Sequence, residues 1–284
     1  MNYTDCNTNF LRGWNIGFMV WRIGNILDFR EQIDWLRDAG FDAVSFHASQ
    51  GIPGQWQGIN PSTTNKTERH RLRDLLSEFA MCEIHAPFSY TLTIDALPSV
   101  VEQLESIIEF AGEVGASIVT VHGEPPNTTA TRYSELWQKS LDELNTMANN
   151  AGLTIGLELM RGFEWLSAPR RTNIGVTLDV GHMYLNEGAG YLPYRTIGGL
   201  VRFLGNTMVH LHVHDYNGLY DHVEIGTGRV DFDDLMRSLL AVKYEGALCL
   251  ELNPDRVSPE GIRRSMKWLR TRAKKLNAVK SIAD

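Results

Sequence analysis

Between Met208 and Asp215 the chain reads Met-Val-His-Leu-His-Val-His-Asp, and two chemistries alternate along it. In an extended strand successive side chains point to opposite faces, so Val209, Leu211 and Val213 share one face while His210, His212 and His214 share the other. A core strand has no use for three imidazoles in register, because each one, once buried, needs a hydrogen-bond partner or a metal. The pattern recurs. Ser45 and His47 alternate with Val44 and Phe46, Glu83 and His85 with Ile84, and Thr120 and His122 with Val119 and Val121. Further on, Gly156 and Glu158 alternate with Ile155 and Leu157, Thr177 and Asp179 with Val176 and Leu178, and Cys249 and Glu251 with Leu248 and Leu250.

Glu83 and His210 stand early in their strands and suit structural roles deep in the fold, whereas His47 fits either kind of role. The convergent set is His85, His122, Glu158, Asp179, His182, His212 and Glu251. Carboxylates gathered without a cation repel one another and shift their pKa values strongly, a conflict that a bound metal resolves. Three carboxylates, Glu158, Asp179 and Glu251, with the imidazole of His212 make an oxygen-rich ligand set. It suits Mn2+ first, then Mg2+ or Co2+, with Zn2+ admissible. Two octahedral positions remain for adjacent substrate oxygens, such as a carbonyl and its neighbouring hydroxyl.

Such a set needs elements that deliver each residue to one place. From Asn15 onward short strand-like runs alternate with longer amphipathic ones, eight times in all. The expected strands are Asn15–Trp21, Ala43–Ala48, Cys82–Phe88, Ser117–Gly123, Thr154–Met160, Ile174–Gly181, Met208–Asp215 and Gly246–Asn253. Helical patterns separate them, except after Arg161, where only a short or irregular piece is expected. Asp28 is placed to cap the first helix, Gly40 and Gly115 to end helices, and Pro259 to open the last one. Eight βα units without a dividing linker predict an α/β fold, a single (β/α)8 TIM barrel domain over residues 1–284. An open doubly wound sheet is the alternative, but no Gly-x-Gly-x-x-Gly turn follows the first strand.

A net charge of -7 argues against a broad basic surface and so against nonspecific nucleic-acid binding. Cys6, Cys82 and Cys249 are odd in number and widely spaced, as expected of reduced thiols, and Cys82 and Cys249 read as packing residues. Met1 to Arg12 lacks the pattern of a secretory signal, and no apolar run approaches the roughly 20 residues of a membrane span. A cytoplasmic location is the resulting expectation.

The motifs Ile84-His85-Ala86-Pro87-Phe88, Val121-His122-Gly123, Leu157-Glu158-Leu159, Leu178-Asp179-Val180-Gly181-His182, His212-Val213-His214-Asp215, His222-Val223-Glu224-Ile225-Gly226-Thr227-Gly228 and Leu250-Glu251 run in order over nearly the whole chain. By them the chain resembles the xylose isomerase-like TIM barrel superfamily. The branch it resembles holds sugar-phosphate isomerases and epimerases, ketose 3-epimerases, inosose dehydratases and endonuclease IV-type repair enzymes of AP endonuclease family 2. The resemblance implies that Glu158, Asp179, His212 and Glu251 hold the principal metal. It also implies that Glu158 and Glu251 transfer protons on opposite faces of a sugar, through a metal-stabilised enediolate. His182 would bind a substrate hydroxyl, with His85, His122 and His222 as further substrate contacts.

The implied activity is an isomerase or epimerase acting on a sugar or sugar phosphate. A lyase resembling inosose dehydratase is one alternative, and zinc-dependent abasic-site repair is another. In the repair enzymes His85, His122 and Glu158 would serve one zinc and His182 with His222 a third. That third site expects an Asp two residues before His222, where this chain has Tyr220, with Asp221 displaced by one. A sugar or metal binder on the same barrel is the non-enzymatic alternative, and the presence of both glutamates argues against it.

The loops should select the substrate. Gln50 to Asn65 reads as a flexible lid, whose Trp56 either stacks on a sugar face or packs on a neighbouring subunit of a homo-oligomer. Gly188 to Arg195 suggests a second rim. Arg161 is placed to bind a phosphate or hydroxyl, or to anchor its loop.

Overall fold

A computed structural model describes residues 14–93, 95–127, 130–166 and 170–283, with side chains as far as residue 276. Cys6 and the Met1 to Arg12 segment lie outside the described residues. Eight parallel strands close into a barrel in the order β1 (Ile16–Val20), β2 (Ala43–His47), β5 (Met81–His85), β6 (Ile118–Gly123), β7 (Thr154–Leu159), β8 (Ile174–Asp179), β9 (Met208–Val213) and β10 (Leu248–Leu250), with β10 pairing back on β1. Two short strands, β3 (Gly51–Ile52) and β4 (Trp56–Gln57), form an antiparallel hairpin above the ring.

The expected (β/α)8 architecture is therefore the observed one. The strands are one to a few residues shorter than their patterns, most of all the last. Glu251 lies just beyond β10, its amide still donating to the Val213 carbonyl of β9 at 3.2 Å.

Helices α1 (Phe29–Ala39), α2 (Lys66–Leu76), α3 (Leu97–Val114), α4 (Thr131–Ala151), α6 (Ile197–Leu204), α7 (Phe232–Ala241) and α8 (Pro259–Ala283) surround the barrel. A four-residue turn, α5 (Leu185–Gly188), precedes α6, and a 3-10 turn at Phe163–Leu166 stands where a helix would follow β7. The expected caps form: the Asp28 carboxylate accepts the Glu31 amide at 3.0 Å, and Gly40 closes α1 in the left-handed region (φ 85°). No helix among the described residues is long and apolar enough to cross a membrane.

Strand parity divides the core. Phe46, Ile84, Val121, Leu157, Leu178 and Leu211 are buried and join the apolar layer packed with the helices, together with Trp137 of α4. The inward face carries the polar set, and register aligns it. His47 lies opposite His85, His122 opposite Glu158, and Asp179 opposite His212. Because the strands are parallel, all these residues emerge at the C-terminal mouth. Below them the interior is polar but paired: Thr120 Oγ1 is 2.9 Å from Thr177 Oγ1, and Ser45 Oγ is 2.9 Å from Cys249 Sγ. Cys249, fully buried, packs into this floor against Ser45.

Candidate active site

The hub of the mouth is the imidazole of His212. Its Nδ1 lies 3.1 Å from Glu251 Oε2 and 3.4 Å from Glu158 Oε2. Ligand atoms of Asp179, His212 and Glu251 fall within 4.8 Å of one another, as do those of His85, Glu158 and His212. On the opposite edge of the ring, His212 Nε2 donates to Glu83 Oε1 at 2.9 Å. That carboxylate keeps a proton on Nε2 and turns Nδ1 toward the three acids, the arrangement by which a carboxylate orients a metal-binding histidine.

Burial disfavours the imidazolium, yet Glu83 and Glu251 outweigh it and hold His212 well above the usual histidine range. In the metal-free molecule a proton therefore sits on Nδ1, in no aligned hydrogen bond, where a cation would sit. A buried nitrogen without a well-formed partner, facing carboxylate oxygens, fits a divalent metal.

Glu158 is the most heavily engaged carboxylate. Its Oε2 is 3.3 Å from His85 Nε2 and 3.4 Å from His122 Nε2, and its Oε1 is 3.3 Å from His182 Nδ1. Burial alone would raise its pKa, but the imidazoles of His122, His182, His212 and His85 depress it well below the carboxylate range. Glu251 is likewise buried and depressed, first by His212. The repulsion expected among the acids is thus relieved by histidine protons. His182 shows the reciprocal effect: burial works against it, but Asp179 and Glu158 lift it to about 10.

His85 donates from Nδ1 to the Ala86 carbonyl at 2.6 Å, which leaves Nε2 for the cleft. Asp179 accepts from His214 Nε2 at 2.9 Å, while His214 Nδ1 accepts the backbone amide of His222 at 2.8 Å. Both nitrogens of His214 are occupied, so it positions Asp179 instead of offering a ligand. Gly181 leaves room for that ring, since a Cβ there would stand 2.1 Å from it.

The sequence alone assigns Glu83 only a structural role; in the fold it joins His210 to His212 and turns the other nitrogen of His212 toward Glu158 and Glu251. Its place two residues before His85, on the same inward face, was the available signal. Asp215 also emerges only here. It is buried, and its two oxygens accept the amides of Tyr216, Gly226, Gly228 and Val230 at 2.8–3.1 Å, fixing the loop that follows His222. A Cβ on Gly228 would lie 2.3 Å from Asp215 Oδ1, which accounts for the glycine.

The displaced aspartate proves to be in reach. Asp221 Oδ1 is 3.2 Å from His222 Nδ1, and its Oδ2 is 3.7 Å from His182 Nε2. His222 adopts a left-handed backbone (φ 50°), which is uncommon for a residue with a side chain, and its Nε2 is 3.8 Å from Glu251 Oε1. Asp221, one residue from the position where Tyr220 stands, thus lies in ion-pair range of both His182 and His222.

Across the mouth the lining changes to rings. His47 stacks with Trp21 (centroids 5.7 Å apart) and meets Trp56 at 5.3 Å, Phe88 at 5.0 Å and His85 at 4.7 Å. Trp56 belongs to the segment expected as a flexible lid. Instead the segment forms the β3–β4 hairpin, pinned by Gln57 N to Trp21 O (3.0 Å) and Ile59 N to His47 O (2.9 Å). Its backbone groups are taken up by the ends of β1 and β2, and this corrects the expectation of a loose lid. Arg161 is exposed just beyond β7, and the fold does not bring it into the cluster. The 188–195 rim contains a 3-10 turn at Leu192–Tyr194 and a left-handed Arg195 (φ 72°).

Residues 33–272 match the family model described as xylose isomerase-like TIM barrel. The chain belongs to that family. Among relatives of this xylose isomerase-like barrel, the uncharacterized protein MJ1311 of Methanocaldococcus jannaschii is 30% identical over 59% of the chain and 63% of its own length. L-Ribulose-5-phosphate 3-epimerase UlaE of Escherichia coli is 24% identical over 63% of the chain and 66% of its own length. The chain thus matches less than two thirds of the length of either. The solved xylose isomerase domain protein of Planctomyces limnophilus superposes with a TM-score of 0.71 at 20% identity, covering 93% of this chain and 98% of that one.

Proposed function

We propose that the protein is a divalent-metal-dependent sugar isomerase or epimerase, with Glu158, Asp179, His212 and Glu251 as the metal ligands. The observation that carries this reading is the placement of Glu158 and Glu251 within 3.4 Å and 3.1 Å of one imidazole nitrogen, His212 Nδ1. A divalent cation held there supplies Lewis-acid polarisation of a substrate carbonyl, which lowers the barrier to loss of the neighbouring C–H proton. Glu158 and Glu251 then act as base and acid on the two sides of the carbon. The histidines that depress their pKa values keep the glutamate acting as base ionised at neutral pH, while the one acting as acid would have to enter the cycle carrying the proton it returns to the opposite face. His182 is placed to bind a substrate hydroxyl, with His85, His122 and His222 around it. The epimerase activity named for UlaE supports this reading, although fold likeness alone would not, since one barrel hosts many chemistries.

One observation favours a second reading. Ligand atoms of Asp179, His182 and His222 fall within 4.8 Å of one another, with Asp221 beside the two histidines, a second cluster of the kind a three-zinc phosphodiesterase acting on abasic DNA would need. Turnover of L-ribulose or D-fructose by the Mn2+-loaded protein, followed by product chromatography, tests the first reading. An epimeric or isomeric product is expected, a dehydrated product would show the lyase, and cleavage of abasic-site DNA with no sugar turnover would overturn the proposal. Metal analysis separates the readings again: His182→Asn should leave bound metal unchanged in the isomerase and reduce it in a three-metal enzyme.

A further inference from the structure

Of the nine histidines, His47 alone has neither ring nitrogen hydrogen-bonded or ion-paired, although it is only 1% exposed. The other buried imidazoles each have a carboxylate or a backbone group in reach: His85 has Glu158 and the Ala86 carbonyl, His210 has Glu83, His212 has three acids, and His214 has Asp179. An imidazole left without partners in the interior is costly, and such a group persists where a ligand completes it. Its surroundings indicate which ligand. The rings of Trp21, Trp56 and Phe88 stand around it, and Phe88 is 51% exposed toward the rim. Aromatic faces pack against the C–H groups of a polyol, and a neutral imidazole offers one donor and one acceptor, the pairing a single hydroxyl needs. A phosphate dianion would find two such nitrogens but no charge from this ring, and it would lose its water against three aromatic faces.

We propose that His47 is a specificity-determining residue: it hydrogen-bonds a free hydroxyl of the substrate chain, seated among Trp21, Trp56 and Phe88, beyond the carbons held at the carboxylate cluster. The substrate then runs from β7–β10 toward β1–β5 and is unphosphorylated at that end. This rests on the isomerase reading for the orientation of the sugar, but the binding site itself can be tested without turnover.

Ribitol, a five-carbon polyol with no carbonyl to react, serves as the probe. It is titrated into Mn2+-loaded protein and followed by tryptophan fluorescence, with ribitol 5-phosphate as the charged comparison. Ribitol is expected to bind more tightly than its phosphate. His47→Phe should weaken ribitol binding about 10- to 100-fold at unchanged metal content, and His47→Gln, which keeps a donor and an acceptor, should recover part of the loss. Equal ribitol binding by wild type and His47→Phe, tighter binding of the phosphate, or no ribitol binding by the wild type would each overturn the proposal. If His47→Phe does not fold, His47→Gln is compared with His47→Leu by the same titration. Ribitol binding without turnover of any ketose would leave the subsite standing and sink the isomerase reading. Ketose turnover with a KM indifferent to His47 would do the reverse.

Discussion

From β6 round to β10 the mouth of the barrel is lined by carboxylates and imidazoles in ion-pair range of one another, whereas from β1 to β5 it is lined by rings packed on rings. On the first side Glu158 meets four imidazoles, one of them reaching over from His85 of β5, and Glu158, Asp179 and Glu251 are buried and depressed in pKa. On the second, His47 is pushed down to about 3, by burial first and then by the charge of His85. The same residue type thus takes opposite states on two sides of His85, protonated among acids at His212 and neutral among aromatics at His47. A buried histidine is decided by its neighbours, and here the neighbours separate a half suited to charge from a half suited to shape and hydrogen bonding.

The largest effect should come from the charged half. Glu251→Gln is expected to lower kcat by about 10^3-fold, within the usual range for loss of a general acid or base, and to reduce bound metal in elemental analysis. A fully active Glu251→Gln would remove that residue from the chemistry. Next, Glu83→Gln should weaken metal binding about 10- to 100-fold through His212 while leaving the β1–β5 half intact, so that ribitol still quenches tryptophan fluorescence. Unchanged metal affinity would show that Glu83 only supports the floor.

The pH dependence follows from the raised histidines. His182 and His212 have folded pKa values above the unfolded value of 6.5, so their contribution to the metal-free fold is complete below 6.5 and is lost as pH rises, through about 10 for His182. The depressed acids contribute above their unfolded values of 3.8–4.5 and lose that contribution as pH falls. His47, depressed to about 3, costs stability as pH falls below its unfolded value of 6.5, so the metal-free protein should melt highest near pH 6.5, at the top of the window that the acids and the raised histidines leave open. Metal binding must displace the His212 proton, so calorimetry in buffers of different ionisation enthalpy should show proton release, with apparent affinity rising about tenfold per pH unit from 7 to 8. An affinity flat across that range would contradict the place given to His212 Nδ1. The smallest effect belongs to the ring-lined half: Trp56→Ala should raise KM roughly 2- to 10-fold with kcat and metal content unchanged, as measured by initial rates.

Much of this was written in period-two alternation. Parity put Glu158, Asp179, His212 and Glu251 on one face of their strands, and eight βα units implied the ring that gathers them. Asp28, Gly40 and Gly115 announced helix ends through local chemistry alone. The pattern could not show depth or partners. Glu83 and His85 share a face, but only the barrel sets one against His210 and His212 below and the other beside Glu158 above.

Sequence by itself determined which residues face inward and in what order the strands come, because side-chain alternation and helix capping are properties of neighbouring residues. Tertiary structure alone decided which nitrogen of His212 faces the acids, that Asp221 reaches His182 and His222, and that His47 is left unpaired beneath Trp56. Those facts depend on loops and register that bring together residues far apart in the chain, and no local periodicity encodes them.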